Sequence, residues 1–268
     1  MRKIKVYAAS TGKTFGAQPE NYGDNLMAAL LPALFNLQPE FVGQDRAELI
    51  STGSVIDSYH RRHPKGVKLI KRRPWRTLHV WGSGFMSSTG RPDWPQTLAF
   101  HAVRGPLSAE KLGQPGLATG DPALLLPRIW PKPATTGRAV AIVPHFTANR
   151  HFRAKYASSL PRHWKIVDLL DDPQKITRAI AESDMVISNS LHGLIVADAY
   201  GIPSVRIEGD SRIKGDGFKY RDYEAFRGAS WDVLKFEDVL ARSVDLIPAD
   251  ARQPDAIRMT SLLGSFPF

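Results

Sequence analysis

A short apolar run, Met185-Val186-Ile187, ends in Ser188-Asn189-Ser190 and passes at once into the helical pattern of residues 191–200. A buried strand that runs through a few polar residues straight into a helix, in a chain where such runs alternate with helical patterns, argues for α/β architecture with mainly parallel sheets. The same alternation recurs throughout. Strands are expected at residues 4–9, 78–81, 98–103, 117–119, 139–143, 164–168, 185–188 and 204–207. A helix is expected at 25–35, where Leu26, Ala29, Leu30, Ala33 and Leu34 share one face. Another runs from an Asp172 cap to Glu182, with Pro173 in its first turn, and a third covers 191–200 and stops at Gly201.

Pro127, Pro131 and Pro133 fall within seven residues and mark a hinge, since proline breaks helices and removes sheet donors. The expectation is two α/β halves, residues 1–130 and 135–268, with a ligand cleft at the carboxyl ends of their strands. The 268 residues, 43% of them hydrophobic, suffice for two cores. The tail after Arg252 is expected to pack on the surface. The longest apolar candidates, 28–37 and 191–200, are interrupted by Pro32 and by His192 and Asp198, so neither spans a bilayer. The N-terminus has the charged start of a signal peptide without its apolar core and reads as a strand, which places the chain in the cytoplasm. With no cysteine there is no disulfide, thiolate nucleophile or cysteine-ligated metal.

The net charge of +10 draws the chain toward polyanions: nucleic acid, anionic lipid or phosphorylated substrates. Residues 59–76 hold eight Lys/Arg and no acid. Such a stretch is either a solvated loop or a docking surface for an anionic membrane, each basic residue contributing roughly 1 kcal/mol there.

Chemistry concentrates at the expected strand ends. After 185–188, the positive end of the following helix and the hydroxyls of Ser188 and Ser190 form an anion site. Leu191 opens the helix, and His192 in its first turn is placed to donate a proton. The plain alternative is a serine cap and a packed histidine. Arg104 ends the strand at 98–103, where its planar fork can grip a carboxylate or phosphate; the alternative is a surface ion pair with Glu110. Asn21 and Asp24 open the first helix and can bond a sugar hydroxyl or simply cap it. Gly82-Ser83-Gly84 follows a strand and lets a ligand approach the backbone, but it lacks the third glycine of a dinucleotide fingerprint. Asp121 and His145 sit at further strand ends. Lys219 and Arg221, grouped with Phe218, Tyr220 and Tyr223, suit an anion or sugar site, or a solvated loop. There is no zinc-binding HExxH, P-loop or nucleophile elbow.

Taken in order, Gly23-Asp24, Trp81-Gly82-Ser83-Gly84, Val103-Arg104-Gly105-Pro106, Gly120-Asp121-Pro122, Ile142-Val143-Pro144-His145-Phe146, Ser188-Asn189-Ser190-Leu191-His192-Gly193 and Phe218-Lys219-Tyr220 resemble the polysaccharide pyruvyl-transferase family over about residues 3–225. The resemblance is strongest to its short bacterial exopolysaccharide members. It implies two Rossmann-like halves facing across a cleft, GT-B-like, with the acceptor on the N-terminal half and the donor on the C-terminal half. It implies transfer of the enolpyruvyl carbons of phosphoenolpyruvate onto two hydroxyls of one sugar, as a cyclic ketal, with release of phosphate and no cofactor or metal. On that scheme His192 moves the proton, Arg104 holds the donor, and Asp24 and Asp121 face acceptor hydroxyls. The acceptor is a lipid-linked oligosaccharide or polysaccharide at the inner face of the cytoplasmic membrane, with peripheral membrane contact and no nucleic acid. Some relatives carry an arginine where this chain has Ser190, so Lys219 or Arg221 would supply the second cation. A glycosyltransferase using a nucleotide sugar on the same scaffold, and a basic nucleic-acid-binding protein, are the competing readings.

Overall fold

The computed structural model describes residues 1–9, 20–59, 62–63, 66–67, 76–90, 97–134 and 139–268. Most of the basic stretch at 59–76 lies outside these residues. The chain runs β1 (Arg2–Tyr7), α1 (Tyr22–Asn25), α2 (Met27–Phe35), β2 (Leu37–Phe41), β3 (Leu49–Ile50), a small hairpin β4 (Arg62–His63) and β5 (Gly66–Val67), β6 (Leu78–Ser83), β7 (Leu98–Val103), α3 (Pro106–Leu112) and β8 (Ala118–Thr119). It continues with β9 (Val140–Val143), α4 (Asn149–Tyr156), β10 (Trp164–Ile166), α5 (Pro173–Ala181), β11 (Met185–Ser188), α6 (Leu191–Ala199), β12 (Ser204–Ile207), α7 (Phe218–Arg227), β13 (Val233–Leu234), α8 (Phe236–Leu240) and α9 (Ala256–Gly264). Two parallel sheets result, each flanked by helices, as a two-domain GT-B-like α/β fold has.

The first unit comprises Met1–Pro122, Gly215–Gly228 and Asp255–Phe268. Its sheet has the order β2-β1-β3-β6-β7-β8, all pairs parallel. β2 was not legible as a strand because its centre is Gln-Pro-Glu; an edge strand tolerates Pro39, which has no amide to give a neighbour. Ile50, Val55, Tyr59, Leu78, Val80, Phe85 and Val103 build one core.

The division differs from that expected at the prolines: it falls between Pro122 and Ala123, and two late segments return to the first unit. Packing accounts for the return. Phe218 of α7 belongs to the core of β6 and β7, and Tyr223 beside it is fully buried. In α9, Leu262 is fully buried and its carbonyl accepts the indole N–H of Trp81 at 2.9 Å. Phe266 stacks on Phe35 with centroids 3.6 Å apart. Fully burying a side chain such as Leu262 contributes about 1.5–3 kcal/mol; in α9 Met259 and Leu262 are buried while Ile257 stays exposed, so the tail lies on the first unit's surface, as expected, and anchors there through one apolar edge.

The second unit comprises Ala123–Lys214 and Ala229–Pro254, with strand order β10-β9-β11-β12-β13, all parallel. Val140, Ile142, Ile187, Val205 and Ile207 meet Phe152, Trp164 and Phe236 in its core. Asp172 caps α5 as expected, its carboxylate accepting from the amides of Gln174 and Lys175, both at 3.0 Å. β9 leads outward to β10, whereas β11 leads the other way to β12. Right-handed crossovers therefore put α4 and α6 on opposite faces and open a crevice between the ends of β9 and β11. Among the described residues, no helix is long and apolar enough to cross a membrane.

Candidate functional site

The crevice of the second unit is where the chain brings its chemistry together. Ser188 ends β11 beside Val143 of β9. Its hydroxyl donates to the Val143 carbonyl at 2.7 Å and accepts the Ser190 amide at 2.9 Å, so it fastens the turn to the neighbouring strand. Asn189, buried and not singled out in the sequence reading, does the same for two more strand ends. Its Oδ1 accepts the His145 amide at 2.7 Å and its Nδ2 donates to the Glu208 carbonyl at 3.2 Å. Between two serines it resembled turn filler; nothing local announces that its amide spans β9, β11 and β12.

Ser190 is the N-cap residue of α6, with extended backbone and no side-chain cap bond. The first-turn amides of a helix lack intrahelical acceptors and carry the positive end of its dipole. Gly193 lets this turn press down on the sheet: a Cβ there would lie 2.5 Å from Ser188 Oγ and 2.9 Å from Val143 Cγ1. Leu191 is buried and half-buried His192 stands in the first turn. Across the strand gap, His145 Nδ1 lies 2.8 Å from Thr147 Oγ1 and accepts the Thr147 amide at 3.4 Å. His145, Ser188, Ser190, Leu191 and His192 are thus gathered at two adjacent strand ends.

The expected residues of the first unit behave differently. Arg104 is completely enclosed. It pairs with Asp222 of α7 through Nε at 3.2 Å and Nη2 at 3.1 Å, and donates to Ser54 Oγ at 2.6 Å and to the Phe85 carbonyl at 2.8 Å. Neither an exposed anion grip nor a pair with Glu110 is what the structure holds; the guanidinium is committed to protein acceptors. Asp222 also accepts from the amide and hydroxyl of Ser108 at 2.8 and 2.7 Å. A buried ion pair this fully bonded offsets its desolvation cost.

The glycines beside it serve the same packing. At Gly84 a Cβ would lie 2.4 Å from Arg104 Nη2, and at Gly82, with φ +79°, 2.3 Å from Pro122 Cδ. The close approach that Gly82-Ser83-Gly84 permits is made by the protein itself. Ser83 is buried and donates to the Gly53 carbonyl at 2.9 Å. Asp121 is completely enclosed.

Asn21 precedes α1 without a side-chain cap bond, and Asp24 lies within that helix. A Cβ on Gly53 would sit 3.1 Å from Asp24 Oδ1, which places the carboxylate beside the turn after β3. Burial, with the Asp24 charge adding to it, pushes the Tyr7 phenol up. Lys219 and Arg221 ride on α7, not on a loop. The Lys219 ammonium lies 5.1 Å from the Tyr220 ring centre, and Arg221 donates to the Asp216 carbonyl at 3.0 Å. Among the described residues no cluster of three or more metal-ligating side chains occurs.

A family model described as polysaccharide pyruvyl transferase matches residues 21–211. The chain is also 26% identical over 239 residues to the succinoglycan biosynthesis protein ExoV of Rhizobium meliloti (strain 1021). That alignment covers 80% of the chain and 64% of the relative, so the chain spans under two thirds of that protein's length.

Proposed function

The chain belongs to the polysaccharide pyruvyl transferase family, and from that premise we propose that it moves the pyruvyl carbons of phosphoenolpyruvate onto two hydroxyls of one sugar in an exopolysaccharide repeat unit, forming a cyclic ketal and releasing phosphate. The observation that carries this reading is the turn from Ser188 to Gly193, where a helix start and a histidine meet at the crevice of a parallel sheet. The donor's anionic groups would take the first-turn amides of α6.

Two hydroxyl protons must be relocated in the reaction: one ends on the methylene carbon, making it a methyl group, and the other leaves with phosphate. His192 is the group for the transfer to carbon, since imidazole exchanges protons near neutral pH. His145, at the end of the neighbouring strand β9, is a second imidazole at the same crevice. Arg104 is left out of donor binding in this proposal, because its bonds are already made. The scheme calls on no metal or organic cofactor. A lipid-linked acceptor at an anionic membrane surface suits a chain of net charge +10.

The first test is thermal stability with phosphoenolpyruvate and, in parallel, with a nucleotide sugar; a ligand that binds only the native state raises Tm as it exceeds its Kd. A shift with phosphoenolpyruvate is the expected result. His192→Ala should then cut phosphate release about 10²- to 10⁴-fold while leaving Tm within a few degrees of the parent. A shift with the nucleotide sugar alone would replace this reading with glycosyl transfer.

A further inference from the structure

Next to the crevice, on the α4 side of the second unit's sheet, lies a recess of about 270 Å³. Its floor is aromatic: Phe152, Tyr156 and Phe236 pack with ring centres 4.7–4.8 Å apart. Its rim carries carboxylates from Glu208, Asp210 and Glu237. Asn189 belongs to the recess and to the crevice alike, and its amide is already bonded to strand ends on both sides.

The recess is built in advance of any ligand. Asp210 accepts the Arg212 amide at 2.8 Å and its carbonyl accepts the Ile213 amide at 3.1 Å, so the turn after β12 is fixed. Ile213 folds back until a Cβ on Gly209 would lie 2.7 Å from its Cδ1. On the opposite wall Lys155 donates to Glu237 at 2.7 Å, and the Tyr156 hydroxyl bonds the same carboxylate. These two bonds hold the Glu237 carboxyl down at about 2, so it stays charged.

Charge decides what fits. With His151, also in the lining, counted neutral, Lys155 and Arg212 are outnumbered by the three carboxylates, which leaves a formal surplus of one negative charge in a chain whose overall charge is +10. A phosphate or carboxylate is disfavoured there. A neutral polyhydroxylated ring is suited: its C–H faces can lie on aromatic carbon while its hydroxyls donate to carboxylates. The volume is below the range of drug-sized pockets, ~300–1,000 Å³, and matches one ring rather than a chain of several.

We infer that this recess seats one pyranose ring of the acceptor. The inference rests on the pyruvyl-transfer reading only in naming that sugar the acceptor. It moves the acceptor from the first unit, where Asp121 is enclosed, to the unit that carries His192. Glu208 and Tyr156 are then specificity-determining residues, the first as hydroxyl acceptor and the second as stacking surface.

Saturation-transfer NMR on the full chain, with the methyl glycosides of glucose, galactose and mannose as probes, tests this. The expected result is saturation of at least one glycoside, undiminished by inorganic phosphate and weakened roughly tenfold in affinity by Glu208→Ala, the loss of one charge-assisted hydrogen bond. Glu208→Gln and Tyr156→Ala, each checked for an unchanged Tm, serve as companions in case Glu208→Ala fails to fold. No saturation of any glycoside, or equal saturation in folded variants, overturns the inference. Phosphoenolpyruvate stabilisation is measured on the same samples. If it binds while no glycoside does, the recess assignment falls and the transfer reading stands. If a glycoside binds while phosphoenolpyruvate does not, the recess is a sugar site and the transfer reading falls.

Discussion

In the first unit the end of β6 and the residue after it are filled from within: Pro122 comes up to Gly82, the Arg104 guanidinium to Gly84, and Ser83 bonds the Gly53 carbonyl. In the second unit the turn after β11 is braced from below by Ser188 and Asn189, and it holds two histidines at the strand ends. Both sheets place an outer strand second and a crevice between their first and third strands. A small-residue segment is thus packed by the protein itself in one unit, whereas in the other it stands at the crevice between the first and third strands. Glycine and serine after a strand say that something comes close, not whether it is ligand or protein.

The largest effect that would break this contrast is at Arg104. Arg104→Ala leaves the buried Asp222 carboxylate without its cation and should cost about 3–5 kcal/mol. Because two units need not unfold together, hydrogen exchange is the measurement. Protection should fall in peptides from β6, β7 and α7 while those of β9 and β11 keep theirs. Uniform loss would mean that the pair stabilises the whole chain and not the first unit. Gly193→Ala comes next. Crowding against Ser188 Oγ and Val143 costs about 1–3 kcal/mol, and the better helix propensity of alanine returns up to about 1. A net loss of roughly 0–3 kcal/mol by urea denaturation, with a larger fall in phosphate release, would sharpen the assignment of α6's first turn to the donor. Unchanged turnover would weaken it.

The smallest effect concerns pH. On the first sheet, His79 Nδ1 and His101 Nε2 lie 2.8 Å apart, with the Phe268 ring edge-on to His79. Burial pulls both imidazoles below 6.5, with His101 adding to the shift at His79 and Glu48 opposing it. The unfolded chain thus takes up protons first as pH falls below about 6.5, and the stability present above that value is lost on the way down. Tm should fall by a few degrees between pH 7 and pH 5, and less in His79→Gln. An equal fall in that variant would assign the loss to other groups.

How much of this was legible follows from distance along the chain. Leu98–Val103, Met185–Ser188 and Ser204–Ile207 were read with their observed bounds, because apolar runs bounded by turn residues are local signals. The Asp172 cap was equally local. The strand, turn and helix that gather Ser188, Ser190 and His192 were readable for the same reason, since they follow one another in a few residues. Arg104 was misread because its partner is 118 residues away on α7, a segment whose mixed cations and aromatics resembled a loop. The apolar faces of α7 and α9 likewise have meaning only against β6 and β7. Asn189 was passed over because its two partners are backbone groups 44 and 19 residues distant.

The bond from the Trp81 indole to the Leu262 carbonyl spans 181 residues. On a translating ribosome adding about 5–20 residues per second, that separation is roughly ten to forty seconds. The sheet whose strands are made first is therefore the one finished last. Until α7 and α9 emerge, Trp81, Phe35 and the apolar side of β6 wait without their coverings, while most of the second unit, encoded in between, can already close. Nascent-chain chaperones should find their binding surface on the older half of the molecule, and substitutions that loosen α9 should show up as poor yield before they appear as poor activity.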